Sequence, residues 1–292
     1  MTRILIQNVL AGFGSGAVFA LVALSFSIVY KGSKVINFAL SEYVVLGGVL
    51  VSALTVTQKW PLALAALVAI SACIVLGLIT EYVAFKYLRQ SDPLIITIGT
   101  VGFGIALDAL IVHYSGGNVF YLRSFSPQPY FHWHGFIISS QAIWNIGICI
   151  VTVVIVGLFY SKTRVGIGLQ AAAEDFDTAS SFGVSKRLST MLTFGLGAAI
   201  AAIAGIATTP VTLMASTSAV QIGLGGFAAA MLGGLGTLSG AVIGGMVLGM
   251  AQVMFSAYIS SSYSSLLAFG ILLLVLFLRP NGLMGKGEVS RV

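Results

Sequence analysis

The chain has 292 residues, 58% of them hydrophobic and 8% charged, with a formal net charge of +6. Soluble domains carry about a quarter of their residues as charges, so a soluble enzyme or nucleic-acid-binding module is excluded and an integral membrane protein remains. The positive balance then reads as a topological signal, with no nucleic-acid partner expected.

A bilayer crossing needs about 20 apolar residues in a helix. Residues 4–30, 60–80, 124–161 and 188–278 contain no Asp, Glu, Lys or Arg. The runs are too continuous for the alternating pattern of a membrane barrel, and a helix satisfies its own backbone in lipid. The pattern predicts an all-α, polytopic transmembrane bundle in a single domain over 1–292. Crossings are expected near 4–30, 35–57, 61–83, 93–114, 141–160, 191–209, 219–235, 239–257 and 262–278. The number is eight or nine, because Gly99, Gly102 and Gly104, and then the dense glycines from Gly223 to Gly249, permit broken or re-entrant helices. Residues 4–30 lack the separate charged region and cleavage site of a signal peptide and are expected to remain as the first helix.

In chain order, the first polar residues at membrane depth are Asn37, Ser41 and Glu42 at the start of the second span. Glu81 closes the third span and is expected to reach the interface. Asp108 lies well inside the fourth, behind Thr97 and Thr100. An ionisable group in lipid costs about 2.5–3.5 kcal/mol on insertion scales, so Glu42 and Asp108 are candidates for a translocation path or for a buried hydrogen-bond network. Thr97 and Thr100 either line that path or bond back to their own helix carbonyls. Cys73 and Cys149 fall in apolar runs and read as packing residues.

Residues 115–140 form the longest external connection, with Tyr130, Phe131 and Trp133 suited to a headgroup-level belt. His132 and His134 make an H-x-H pair, but no carboxylate or Cys stands beside it. No metal or other cofactor is expected, and the loop serves as interfacial structure or as a receiving surface for an extracytoplasmic partner.

The long charged island, 161–190, carries Lys162, Arg164, Glu174, Asp175, Asp177, Lys186 and Arg187. Ala172, Phe176 and Ala179 recur at helical spacing, and Gly183 follows as a terminator. This predicts a cytoplasmic helix that docks on another protein; a solvated loop joining two spans is the alternative. Placing the island in the cytoplasm puts eleven of the fourteen Lys and Arg residues on that side, leaving Arg3, Lys59 and Arg123 outside. That bias predicts an external N-terminus and a cytoplasmic C-terminus. Gly12 and Gly16, and Gly245 and Gly249, are four apart, as close helix packing in lipid requires. The chain has no phosphate-binding loop, nucleophile elbow or zinc-protease motif, so it is not expected to be an enzyme or to hydrolyse ATP itself.

Four stretches in order resemble the branched-chain amino acid ABC permease family. Ile36-Asn37-Phe38-Ala39-Leu40-Ser41-Glu42 is similar to its I-N-F-A-H-G-E signature, and Thr97-Ile98-Gly99 to the opening of its fourth helix. The run from Gly225 to Ala241 resembles its F-A-A-x-x-L-G-G-L-G-S-x-x-G-A, and Arg279-Pro280-Asn281-Gly282-Leu283-Met284-Gly285 its R-P-x-G-L-F-G terminus. The resemblance spans essentially the whole chain. It implies the shorter permease of an importer in the bacterial cytoplasmic membrane. The implied partners are a second permease, distinct in sequence in this family's usual pattern, two cytoplasmic ABC ATPases and a soluble substrate-binding protein. It also makes 161–190 the coupling loop, with Ala179 and Gly183 at the family's Ala and Gly positions. On the importer reading, Glu174, Asp175, Phe176, Ala179 and Gly183 are the expected coupling residues, and Asn37, Glu42, Thr97, Thr100 and Asp108, from the polar groups at membrane depth, the expected path residues. Leu40-Ser41 stand where the family has His-Gly, and Gln170-Ala171 where it has Arg-Ala. The solute stays open among branched-chain and other amino acids, urea or amides, and organic acids. The alternative from another class is an ion-coupled secondary transporter using Asp108 or Glu42.

Overall fold

The computed structural model describes residues 2–88, 92–133, 136–279 and 281–285. Arg89, His134, Lys286 and Arg291 lie outside the described residues. The elements, in order, are α1 (Thr2–Ser33), α2 (Leu40–Ser52) continued by a π-helical turn (Ala53–Thr57), α3 (Leu62–Leu88) and α4 (Pro93–Ser115). An antiparallel hairpin of β1 (Tyr130–Trp133) and β2 (Phe136–Ser139) follows, pairing Tyr130 with Ser139. The second half holds α5 (Ser140–Lys162), α6 (Arg164–Glu174), α7 (Phe176–Ser181), α8 (Lys186–Thr208), α9 (Ser218–Gly233), α10 (Leu238–Tyr258) and α11 (Ser264–Leu278).

Among the described residues, seven helices are long and apolar enough to cross a membrane: α1, α2 with its π turn, α3, α4, α5, α8 and α10. The remaining two expected crossings are α9 and α11, of 16 and 15 residues. At about 1.5 Å per residue they reach roughly 24 and 22 Å, short of the hydrocarbon thickness of about 30 Å. For α9 the shortening has a local cause: Gly234 takes φ +109 and Gly236 φ +86, so the chain turns straight into α10.

The centre of the bundle is α1, which packs against α10, α8, α9 and α5, while α2 lies against α8, α3 and α9. Leu21, Leu24, Phe26 and Ile28 of α1, Leu40 and Tyr43 of α2, and Phe194 of α8 are fully buried. Lipid supplies no hydrophobic drive between helices, so close backbone approach has to hold them together. The spaced glycines provide it. A Cβ on Gly249 would sit 2.3 Å from the Gly16 Cα, and one on Gly205 of α8 would sit 1.8 Å from the Val44 carbonyl oxygen of α2. By contrast α4 and α5 turn Ile98, Ile105, Ile150 and Val151 outward, as suits a lipid-facing wall.

The two ends of the bundle differ. At one, Phe120 and Met214 exchange backbone hydrogen bonds at 2.8 and 2.9 Å, and the Ser52 hydroxyl donates to the Tyr121 carbonyl at 2.5 Å. These contacts gather the hairpin connection, the α8–α9 link and the end of α2. At the other end the Leu283 and Met284 N–H groups donate to the carbonyls of Leu232 and Gly233, at 2.8 and 3.0 Å, and cap α9. Lys31 places its Nζ 5.3 Å over the Tyr160 ring there, next to the joint between α5 and α6.

Candidate translocation path and coupling segment

The link between α1 and α2 carries the first group of expected path residues. Asn37 is buried; its Oδ1 accepts the Ala39 N–H at 3.0 Å and its Nδ2 has no partner. Thr100 of α4 is fully buried and accepts the Phe38 N–H at 3.1 Å, while its own hydroxyl donates to the Thr97 carbonyl at 2.7 Å. Thr97 only bonds back to the Pro93 carbonyl, at 2.9 Å. Thr100 thus pins the link, and the pinned residue is Phe38. Its ring meets Phe26 of α1 at 6.3 Å and Phe227 of α9 at 5.4 Å, and those two rings lie 5.8 Å apart. The result is a three-ring cluster drawn from three separate elements.

Glu42 opens α2 and is largely buried. Gly104 of α4 lies opposite, close enough that a Cβ there would be 3.7 Å from the Glu42 Cγ. Asp108 sits one turn further along α4, within reach of the Glu42 charge. Glu42 Oε2 and Asp108 Oδ1 are both buried without a hydrogen-bond partner. The structure therefore brings Glu42 and Asp108 to one contact between α2 and α4, separate from the contact of Thr100 with Phe38 of the α1–α2 link. Glu81 is 2% exposed and accepts a hydrogen bond from Thr190, near the start of α8, at 2.7 Å. Burial against α8 gives it a donor that lipid would not.

A cavity of about 410 Å³ opens elsewhere, between α1, α5, the α8–α9 link, α9 and α10, near the hairpin end. Ser15, Asn145, Thr208, Gln221, Gln252 and Ser256 supply polar lining; Val18, Phe19 and Ile222 supply apolar lining. None of Asn37, Glu42, Thr97, Thr100 and Asp108 borders it. The sequence signal for it was weak: neutral polar residues, one or two to a span, whose common direction appears only when five segments are packed. The three-ring cluster lies seven residues beyond Phe19 on α1 and five beyond Ile222 on α9, roughly 8–10 Å nearer the other end.

The charged segment begins where Thr163 ends α5. Its Oγ1 donates to the Phe159 carbonyl at 2.7 Å and accepts the Gly166 N–H at 2.9 Å, capping α6. The single helix expected through Ala172, Phe176 and Ala179 is broken at Asp175, which has φ −148 and ψ 105. The Asp175 carboxylate accepts the Thr178 N–H at 3.2 Å and its hydroxyl at 2.6 Å, so its side chain starts a new helix, α7, in place of continuing α6. Ala172 and Phe176 consequently lie on different helices. Glu174 and Asp175 are exposed, Ala179 is buried, and Phe176 is half-buried under Lys186, whose Nζ stands 5.3 Å from the ring centre. Gly183 takes φ +85, and the Val184 N–H returns to the Ala179 carbonyl at 3.2 Å, closing α7. The aromatic presented at the tip is Phe182, 84% exposed, which helical spacing did not single out.

A family model described as branched-chain amino acid transport system / permease component matches residues 8–276. The high-affinity branched-chain amino acid transport system permease protein LivH of Escherichia coli K12 is 32% identical, covering 98% of this chain and 97% of that one. LivH of Salmonella typhimurium is 31% identical at the same coverage, and BraD of Pseudomonas aeruginosa is 29% identical over 98% of both chains. A solved structure, PsaBC from Streptococcus pneumoniae in complex with Fab, is similar over 96% of this chain and 92% of that one, with 15% identity and a TM-score of 0.46. With nearly its whole length matched, the chain belongs to the branched-chain amino acid transport system permease family.

Proposed function

We propose that this chain is the membrane-spanning permease subunit of an ATP-binding cassette importer. It moves branched-chain amino acids, or a related small polar solute, across a bacterial cytoplasmic membrane. Two separate ATPases drive it, a second and distinct permease completes the path, and a soluble binding protein delivers the solute. The observation that carries this reading is the charged α6–α7 segment with Phe182 at its tip, set between two long apolar spans of a permease-family chain. An exposed aromatic in the turn that closes a short helix suits a docking contact better than a plain connection.

On this reading α6–α7 is cytoplasmic and seats in an ATPase groove through Glu174, Asp175, Phe176, Ala179 and Gly183. The excess of Lys and Arg at that end supports the orientation, with the N-terminus external and the C-terminus cytoplasmic. A push on α7 passes through the Gly183 turn to α8. The backbone contact of Gly205 with Val44 carries it on to α2 and to the Asn37–Phe38 link. Phe26, Phe38 and Phe227 form the cytoplasmic barrier, positioned by Asn37 and Thr100, and the cavity at the hairpin end is the external half of the path.

A second reading rests on the buried, unpartnered oxygens of Glu42 and Asp108, which suit a proton site in a gradient-driven transporter. The deciding experiment is a pull-down from membranes with this chain as bait, alongside Phe182→Asp at the exposed tip. Co-purified ATPases that are lost with Phe182→Asp, together with ATP-dependent uptake after reconstitution, support the importer. Purification alone, with uptake driven by a proton gradient, would reject it in favour of the carboxylate pair.

A further inference from the structure

The charged segment re-enters the bundle where α8 begins, and only residues 182–185 separate α7 from α8. Ser185 stands at the N-cap of α8 with no side-chain hydrogen bond, so neighbouring helices have to fix this start. Two of them do. From α1, Gly32 comes so close that a Cβ there would sit 2.3 Å from the Thr193 Cγ2. From α3 the contact has two levels in one register. Glu81 accepts the Thr190 hydroxyl at 2.7 Å. One turn away on each helix, a Cβ on Gly77 would sit 2.9 Å from the Phe194 carbonyl oxygen and 2.7 Å from the Ala198 Cβ. Glu81 and Thr190 are both buried. A carboxylate shut away from water is costly unless it is hydrogen-bonded, and as a charged acceptor it holds a donor about twice as strongly as a neutral group does. The Thr190 hydroxyl has one hydrogen to place, and its own helix offers the Arg187 and Lys186 carbonyls at 3.0 and 3.2 Å. The Glu81 oxygen is nearer and charged, so it wins that competition.

We propose that Glu81 is a positioning residue for transport: through Thr190 it joins the start of α8 to α3, so that a displacement of α7 carries both helices as one body. The inference rests on the importer reading and adds α3 to the elements that the push reaches. Without the joint, the first turn of α8 lifts off α3 while the Thr190 hydroxyl turns back to its own carbonyls. The movement of the charged segment is then lost at the edge of the bundle, and ATP is hydrolysed with less solute moved. A residue that only filled space would behave differently, since its loss would lower stability and leave the solute moved per ATP unchanged.

The test uses the complex purified with its partner subunits and reconstituted in proteoliposomes, with L-leucine as the probe. Two quantities are read: leucine imported per ATP hydrolysed, and hydrogen exchange of the backbone N–H groups of residues 190–194. Thr190→Val keeps the shape and removes the donor. Exchange should rise about tenfold, the effect of losing one hydrogen bond to a charged group, and leucine per ATP should fall about twofold or more. Thr190→Ser, which restores the hydroxyl, should return both to wild type. Glu81→Gln keeps an acceptor without the charge and should fall between; it carries the test should Thr190→Val fail to assemble. Leucine per ATP equal to wild type in both Thr190→Val and Glu81→Gln, or exchange unchanged in both, would overturn the joint, as would a fall that Thr190→Ser shares. ATPase co-purification is followed on the same samples. Wild type without ATPases counts against the importer, whereas retained ATPases with unchanged leucine per ATP count against the joint alone.

Discussion

Thr100 and Thr97 sit one turn apart on α4 and make different predictions. The Thr100 hydroxyl serves both its own helix and the Phe38 N–H of the α1–α2 link, and it is fully buried. Replacing it with Val keeps the shape but strands a partly buried N–H, a loss of about 1–3 kcal/mol. Thr100→Val should therefore lower the melting temperature of the purified complex and slow uptake, whereas Thr97→Val, which removes only a bond back to Pro93, should change melting little. The two carboxylates are tested by neutral isosteres. Under ATP-driven transport, Glu42→Gln and Asp108→Asn should keep ATP-dependent uptake within a few-fold of wild type and leave it indifferent to a proton gradient; under the secondary-transporter reading either change should abolish it. The sequence marked Glu42 and Asp108 because charge is rare at membrane depth, and Thr100 with Thr97 as hydroxyls on the same helix as Asp108. It passed over Gln252 and the burial of Glu81, since a neutral amide in an apolar helix is unremarkable until its neighbours are known, and the partner of Glu81 is 109 residues away.

At the scale of elements, the glycines separate into those that set helix contacts and those that do not. Gly205 stands against the Val44 backbone, whereas a Cβ on Gly102 of α4 would meet nothing within 4 Å. Gly205→Ala should then destabilise by more than the roughly 1–3 kcal/mol typical of overpacking, because backbone cannot move aside as a side chain can. Gly102→Ala should leave melting unchanged or raise it slightly, the better helix former replacing the poorer. Accumulation in membranes and thermal melting of the two variants check the contrast. The i, i+4 glycine spacing on α1 and α10 was legible from sequence because interfaces between lipid-embedded helices need it. The break between α6 and α7 was not: the periodicity of Ala172, Phe176 and Ala179 fits one helix, and only the Asp175 side chain, by capping Thr178, divides it. The dense glycines from Gly223 onward signalled an irregular span at α9, whereas the length of α11 was hidden, since hydropathy reports how apolar a run is and not where its helix begins and ends.

For the molecule as a whole, the cavity at one end and α6–α7 at the other are joined through α9, α1 and α8, with the Phe26–Phe38–Phe227 cluster between them. If the cluster is the barrier and the tip of the charged segment is the drive, damage to each should fail differently. Phe38→Ala removes the ring that the α1–α2 link contributes to the cluster, opening a void next to Asn37. In proteoliposomes it should allow L-leucine to equilibrate down its gradient without ATP, while ATPase subunits still co-purify. Phe38→Leu, which refills most of the volume, should restore tightness and separates a leak from unfolding. Phe182→Ala takes away an 84% exposed ring that is not packed into this chain's core, so melting should be unchanged. As a central aromatic at a docking contact it should weaken ATPase retention by about tenfold or more, with no leak. Phe176→Ala should weaken retention less, because that ring is already occupied under Lys186. A leak from Phe182→Ala, or lost ATPases from Phe38→Ala, would break the assignment of barrier and drive to opposite parts of the bundle. The two assays, passive solute equilibration and ATPase retention, separate the outcomes because each reads one part of the bundle without requiring the other to work.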